Sequence, residues 1–284
     1  MTTRNAVLLM ASVALLSGWT PPPEKKDLID HIRAAYDFPS SAEVDVSDPQ
    51  SCDVPGFRLA KLSLRYGAME HSEDLYISEN GRYYMLGKFK DARVHPYEER
   101  LKKMDFKDAG VRGKADAPVT VAQFTDFQCP YCQRGFEIMR DRVLKEFPDK
   151  VRWVYKSFPL NEIHPWAQPA AVAAECARKQ GSEKFWSLHD AIFEAQREIS
   201  ADKFEEKLHE LAKKAGVDAK ALMACYDKEE TLPTVRRDVK EAAEVGVNST
   251  PSFVVNGRIV AGADYNALRR IIEDFLGKKG EDKR

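Results

Sequence analysis

Leu28, Ile29, Ile32 and Tyr36 recur at three- and four-residue spacing, which puts them on one face of a short helix, and Pro39 ends the pattern. From Ala60 the period changes to two. Ala60, Leu62, Leu64 and Tyr66 alternate with Lys61, Ser63 and Arg65, as in a strand with one buried face. Two further apolar runs, Leu75–Ile77 and Tyr83–Leu86, flank Glu79-Asn80-Gly81-Arg82. Asn-Gly between such runs predicts a tight hairpin, because both residues tolerate φ > 0. Together these elements predict a small α+β domain with an antiparallel sheet, which with its flanking linkers occupies 20–104.

The charged stretch Glu98–Lys103 predicts a connecting helix or linker, and beyond it the pattern changes. Val119–Phe127 is an apolar, β-rich run. Phe136, Met139, Val143 and Phe147 then keep helical spacing, and Val151–Tyr155 is a second short strand. Strand, helix and strand in so few residues imply a parallel pair joined by a right-handed crossover. About 162–240 reads as helical, with the alanine-rich Ala170–Ala177 and the face Phe204, Leu208, Leu211 and Ala212. Strand character returns at Ser252–Val255, Asn256-Gly257 predicts a hairpin turn into Ile259–Ala261, and Tyr265, Leu268, Ile271, Ile272 and Phe275 form a last helix. The second domain, 105–284, is therefore expected to be an α/β sheet interrupted by a helical insert.

Composition narrows the function. Hydrophobic residues make up 43% and charged residues 31%, the mix of a soluble globular protein. The formal charge of −1, with basic residues scattered, gives no electrostatic case for nucleic acid. Arg4, the apolar run Ala6–Leu16 and the small Ser17-Gly18 predict a signal peptide over 1–19, too short for a comfortable membrane span. Pro21-Pro22-Pro23 then starts an extended linker and argues against a buried N-terminal helix. An uncleaved anchor is the alternative to a soluble exported protein. Export to a periplasmic or otherwise extracytoplasmic space is an oxidising context, in which the five cysteines can hold disulfides. An odd number leaves at least one thiol free, transient or intermolecular.

Cys129-Pro130-Tyr131-Cys132 lies where a strand gives way to a helix. A thiolate there meets the positive end of the helix dipole and unpaired backbone N–H groups, which lower its pKa, and Pro130 suits the first helical turn. Cys129 is expected to be the exposed nucleophile and Cys132 the buried resolving thiol. Zinc would need a second ligand pair that the sequence lacks, so no metal or other cofactor is expected. Thr250-Pro251 precedes a strand. It is either an ordinary strand-start proline or a cis proline beside the redox pair, where substrate backbone could pair.

At these residues the chain resembles the DsbA-like branch of the thioredoxin superfamily. The stretches that carry the resemblance are VTVAQFTDFQCPYC (119–132), FPLNEIHPWAQPAAVAAECARKQG (158–181), FWSLHDAIFE (185–194) and GVNSTPSFVVNGRIVAGA (246–263). It implies a thioredoxin fold with a helical insertion, extracytoplasmic disulfide exchange, Cys129 as nucleophile, Cys132 as resolving cysteine and Pro251 as cis proline. Thr250, Pro130 and Tyr131 join Pro251 as expected substrate contacts. Gln123 is a departure, since family members commonly carry a buried glutamate there. The hairpin DLYISENGRYYMLGKF (74–89) resembles the dimerisation domain of DsbC/DsbG-type isomerases, which implies a homodimer. Expected partners are cysteine-containing exported proteins and a membrane redox partner that recycles the pair.

The remaining candidates read as structural. His164 and His189 are expected to be packing or surface histidines, and Trp153 and Trp186 core residues. Lys156, at a strand end, is a weaker candidate for approaching the site. Cys176 and Cys225 both fall in helical segments with no other stable partner, which predicts a disulfide inside the insert; the alternative is two buried thiols. Cys52 is then the odd thiol. Thr250, the neutral Gln123 and the extra domain tip the expectation towards a homodimeric isomerase or reductase, with a DsbA-like oxidase next and a redox-independent holdase third.

Overall fold

The computed structural model describes residues 24–281, so the expected signal peptide lies outside the described residues. The chain divides into two compact units between Ala92 and Arg93.

In the first unit a helix α1 (Lys25–Ala35) precedes strands β1 (Glu43–Val46), β2 (Gln50–Ser51), β3 (Phe57–Tyr66), β4 (Met69–Ser78) and β5 (Tyr84–Leu86). They form an antiparallel sheet in the order β1-β3-β4-β5, with β2 also on β3. Ile32 of α1 packs with Val46, Ala60, Leu62, Leu75 and Ile77 into a small core. Tyr36, expected on the helix face, follows the last helical residue and is 47% exposed. The longest pairing, β3 with β4, turns at Gly67-Ala68, where Gly67 adopts φ +59° and Tyr66 faces Met69. Asn80-Gly81, by contrast, does not form a two-residue turn. Ser78 N–H bonds to Tyr83 O, which closes a longer loop, and Asn80 Oδ1 accepts the Arg82 N–H at 3.0 Å; only Gly81 has positive φ. The asparagine side chain competes for the turn's backbone donors and wins.

The second unit starts with a helix α2 (Pro96–Lys102), in the segment expected to be a connecting helix or linker. Its Arg100 side chain bonds the carbonyls of Val245 and Gly257. Strands β6 (Val111–Gly113), β7 (Val119–Thr125), β8 (Val151–Ser157), β9 (Ser252–Val255) and β10 (Arg258–Ala261) make a sheet in the order β10-β9-β7-β8-β6. Only β7 and β8 run parallel within it. The crossover between them is α3 (Pro130–Glu137), a π-helical turn (Ile138–Val143) and α4 (Leu144–Glu146). Asn256 and Gly257 both take positive φ, at 42° and 91°, so this Asn-Gly does make the tight turn between β9 and β10.

Between β8 and β9 lies the helical insert: α5 (Ala167–Arg178), α6 (Ser182–Glu194), α7 (Phe204–Lys214), α8 (Ala219–Asp227) and α9 (Leu232–Val245). A final helix α10 (Tyr265–Glu281) follows β10. Every residue of β7 is buried, because both faces of the sheet are covered. One face carries Val119 and Val121 with Trp153, Tyr155, Phe253 and Val255, packed with Phe136 of α3, Phe185 and Phe193 of α6 and Leu268 of α10. The other carries Ala122, Phe124, Val154 and Val254, packed with Ala242 and Val245 of α9. This is the thioredoxin-like α/β fold with a helical insertion. A disulfide joins Cys176 of α5 to Cys225 of α8 across 49 residues of sequence.

Candidate active site

Strand β7 runs straight into the redox motif. After Thr125 the chain turns through Asp126, Phe127 and Gln128, and Cys129 caps α3 in an extended conformation (φ −70°, ψ 123°) with Pro130 in the first turn. The N–H groups of Cys132 and Gln133 return to Cys129 O at 3.0 and 3.2 Å. Cys129 thus stands at the N-terminus of α3, at the positive end of the helix dipole. Both cysteines are free thiols. The Cys129 thiol is lowered to about 6, first by the hydrogen bond from the Cys132 thiol, which outweighs burial, then by the N–H groups of Cys132 and Tyr131. Burial and the neighbouring Cys129 push Cys132 well above the usual range for a thiol. One sulfur is thus poised as a thiolate at neutral pH and the other as a protonated thiol.

Cys129 was expected to be exposed, yet it is only 5% exposed. Its carbonyl is held by Gln196 Nε2 at 3.0 Å, and its sulfur lies 3.9 Å from Thr250 O. The Thr250–Pro251 peptide bond is cis. The Thr250 hydroxyl lies close to the same sulfur without the geometry of a full hydrogen bond. Gly135 lets this loop approach: a Cβ there would stand 3.2 Å from Pro251 Cγ and 3.1 Å from Phe253 Cζ. Beside these shielded sulfurs, Tyr131 is 67% exposed.

The redox turn is anchored by side chains that sequence reasoning did not assign to the site. Asp126 Oδ1 accepts the N–H groups of Gln128 (2.7 Å) and Cys129 (3.1 Å), and Oδ2 accepts Leu160 N–H (2.8 Å) and faces His164 Nδ1 (2.8 Å). Gln128 Oε1 accepts Trp166 N–H at 2.8 Å, and Gln196 Nε2 also reaches Phe127 O at 2.7 Å. The 160–166 loop and the insert thus brace the turn from two sides. A carboxylate just past the end of a fully buried, β-rich strand is the available signal for Asp126, and a glycine inside a helix that for Gly135. His164, expected to be a packing or surface residue, is one of these anchors.

Lys156 does not reach the redox pair. It pairs with Phe124 across the sheet on the face towards α9, where its ammonium contacts Asp238 at 3.3 Å and Glu241 at 3.0 Å. Trp153 and Trp186 are buried core. His189 is fully buried among aromatic rings, with Nδ1 2.9 Å from Asp190 Oδ1, and burial lowers its pKa. Gln123 is fully buried below α3; its Nε2 donates to Thr125 Oγ1 at 3.4 Å and its Oε1 has no partner among the described residues. Cys52 belongs to the first unit, where its thiol donates to Phe57 O at 3.3 Å.

A family model described as thioredoxin matches residues 107–274. The chain is 31% identical over 171 residues to a probable disulfide bond formation protein D of Bacillus anthracis, covering 58% of this chain and 77% of that protein. It is 37% identical over 149 residues to a Na(+)/H(+) antiporter NhaA 3 of Salinispora tropica, covering 52% of this chain and 22% of that one. The chain spans about a quarter of the length of the antiporters it matches. Among solved structures, oxidised BdbD from Bacillus subtilis superposes with a TM-score of 0.56 at 28% identity, over 61% of this chain and 95% of that one. A thioredoxin-like oxidoreductase from Silicibacter pomeroyi gives 0.51 at 29% identity, over 59% and 92%. From its fold, its motif context and these likenesses, the chain belongs to the thioredoxin family.

Proposed function

We propose that this protein is an extracytoplasmic thiol–disulfide oxidoreductase that passes disulfides from Cys129–Cys132 to cysteine-containing exported proteins. The observation that carries the reading is the Cys129 sulfur at the start of α3, lowered to about 6 and set against the cis Thr250–Pro251 peptide. A client thiolate attacks Cys129 of the oxidised pair, a mixed disulfide forms there, and Cys132 leaves. A second client thiolate then breaks the mixed disulfide, the client gains its disulfide, and Cys129 departs as a thiolate. A low-pKa thiol is the better leaving group, and stabilising it favours the reduced enzyme, which makes the pair a disulfide donor. Thr250 and Pro251 offer backbone for an incoming client strand, and Pro130 and Tyr131 form its rim. A membrane partner that reoxidises the pair completes the cycle.

The sequence expectation tips narrowly towards isomerisation or reduction by a homodimer. Thr250 before the cis proline and the 74–89 hairpin support that second reading. The low-lying Cys129 thiolate and the likeness to a disulfide bond formation protein support donation more strongly. Refolding of reduced and of scrambled ribonuclease separates the two: a donor accelerates the first and an isomerase the second. Cys132→Ser should accumulate mixed disulfides with exported proteins, and Cys129→Ser should trap none. A holdase would keep its effect in Cys129→Ser, which sinks the redox reading.

A further inference from the structure

The sulfur of Cys132, fully buried, is met by neutral donors. The backbone N–H of Asp126 donates to it at 3.3 Å, and the Thr125 hydroxyl, on a residue 2% exposed, lies near it without the geometry of a full hydrogen bond. One step further away, Gln123 Nε2 donates to that hydroxyl oxygen at 3.4 Å. The amide is wedged under the redox helix, since a Cβ on Gly135 would stand 3.2 Å from Gln123 Nε2. Around this sulfur the titratable groups are already engaged. The Asp126 carboxylate is bonded by the N–H groups of Gln128, Cys129 and Leu160 and by His164. Tyr155, opposite Gln123 on β8, is bonded to Ser157 Oγ and raised by burial, and Cys129 is the reaction partner itself.

We propose that Gln123 and Thr125 are positioning residues for the attack of Cys132 on the mixed disulfide, acting as a polarised chain of neutral donors where an internal base would otherwise stand. This rests on the exchange reaction proposed above, whose first step it is in reverse: the same donors stabilise Cys132 as it leaves when a client thiolate opens the oxidised pair. By donating to Thr125 Oγ1, the Gln123 amide leaves the hydroxyl hydrogen free to turn onto Cys132 Sγ. The sulfur's developing negative charge then meets two donors, the Asp126 N–H already in place and the Thr125 O–H once it has turned. The step balances without a base. Cys132 loses its proton and attacks Cys129 Sγ, the Cys129–Cys132 bond forms, the bond from Cys129 to the client sulfur breaks, and the departing client thiolate takes up the proton. A carboxylate at position 123 would draw the hydroxyl hydrogen to itself and away from the sulfur.

The test is stopped-flow of the reduced full-length protein with one equivalent of dithiobisnitrobenzoate, whose released thiolate is coloured. The first phase reports attack by Cys129, the second reports attack by Cys132 on the mixed disulfide. Thr125→Val should slow the second phase about tenfold with the first unchanged, the size expected for one hydrogen bond to a charged group, and Thr125→Ser should restore it to within about twofold. Gln123→Met, which keeps the volume but loses the amide, should slow the second phase about threefold or more. Gln123→Glu should add an inflection to its pH profile. A second phase in Thr125→Val within about twofold of the parent, after a normal first phase, overturns the proposal. Should Thr125→Val not fold, an unslowed second phase in Gln123→Met overturns it equally. A parent first phase no faster than a free cysteine instead sinks the exchange reading itself.

Discussion

Asp126 binds the nucleophile's own peptide through one carboxylate oxygen, at 3.1 Å from Cys129 N, and His164 through the other, at 2.8 Å from Nδ1. The 160–166 loop is thereby fastened to the redox turn by a fully buried carboxylate. Removing that carboxylate strands backbone N–H groups in the interior. Asp126→Ala should destabilise the protein by about 2–3 kcal/mol, and His164→Ala, which removes one bond at a partly accessible site, by about 1 kcal/mol. Urea midpoints check both, and equal effects would contradict the arrangement.

The pH dependence of Cys129 follows from the largest cause of its shift. Iodoacetamide alkylation of the reduced protein should rise with a midpoint near pH 6, and Cys132→Ala, which removes the donated hydrogen bond, should move that midpoint upwards. Stability follows in sign. A thiol whose folded pKa is depressed contributes stability above its unfolded pKa, near 9, and loses it as pH falls through about 6. Cys132, shifted the other way, opposes folding once pH rises past the ordinary thiol range. The stability gap between the reduced protein and its Cys129→Ala variant should therefore shrink steadily as pH falls from 9 to 6.

Much of this arrangement could be read from residue order. The β-rich run of β7, the helical spacing behind Cys129 and the strand pair after Thr250-Pro251 are each visible as local patterns, and they enclose the motif that defines the site. Contacts distant in sequence could not be read. The bracing of Asp126 by Leu160 and His164 and of Cys129 by Gln196 depends on how the insert folds back, and nothing local encodes it. The same applies to the shielding of Cys129, which a strand–turn–helix pattern alone leaves open. Two identical Asn-Gly pairs behave differently because the Asn256 side chain is engaged by Thr120 N–H and Pro118 O, whereas Asn80 is free to bond its own loop.

The Cys176–Cys225 bridge predicts a stability effect separate from the chemistry. Closing a loop of 49 residues' separation contributes about 4 kcal/mol on the chain-entropy model. The double variant Cys176→Ser/Cys225→Ser should lose roughly that amount in denaturant titration while Cys129 alkylates at the parental rate. A parallel loss of Cys129 reactivity would show that the bridge holds the redox turn as well.

Lys156 offers a sharper electrostatic prediction. Its ammonium is 1% exposed between Asp238 and Glu241, whose carboxyls are both raised by burial. Lys156→Met leaves two buried carboxylates without their buried cation, Asp238 keeping only the longer contact to Arg237 at 3.8 Å, and should cost about 3 kcal/mol at neutral pH. A carboxyl raised in the folded state opposes folding as pH rises, so this cost should shrink in acid as Asp238 and Glu241 take up protons. A loss that does not vary between pH 4 and 8 would contradict the pairing.

The central claim is that the Cys129–Cys132 pair donates disulfides because its reduced state is stabilised at Cys129. Equilibration of the pair with glutathione buffers, read by alkylation of Cys129, measures the reduction potential directly. The account predicts a value well above that of thioredoxin, at about −200 mV or higher, so that glutathione reduces the pair readily. A potential near −270 mV, in the range of a dedicated reductant, would contradict it.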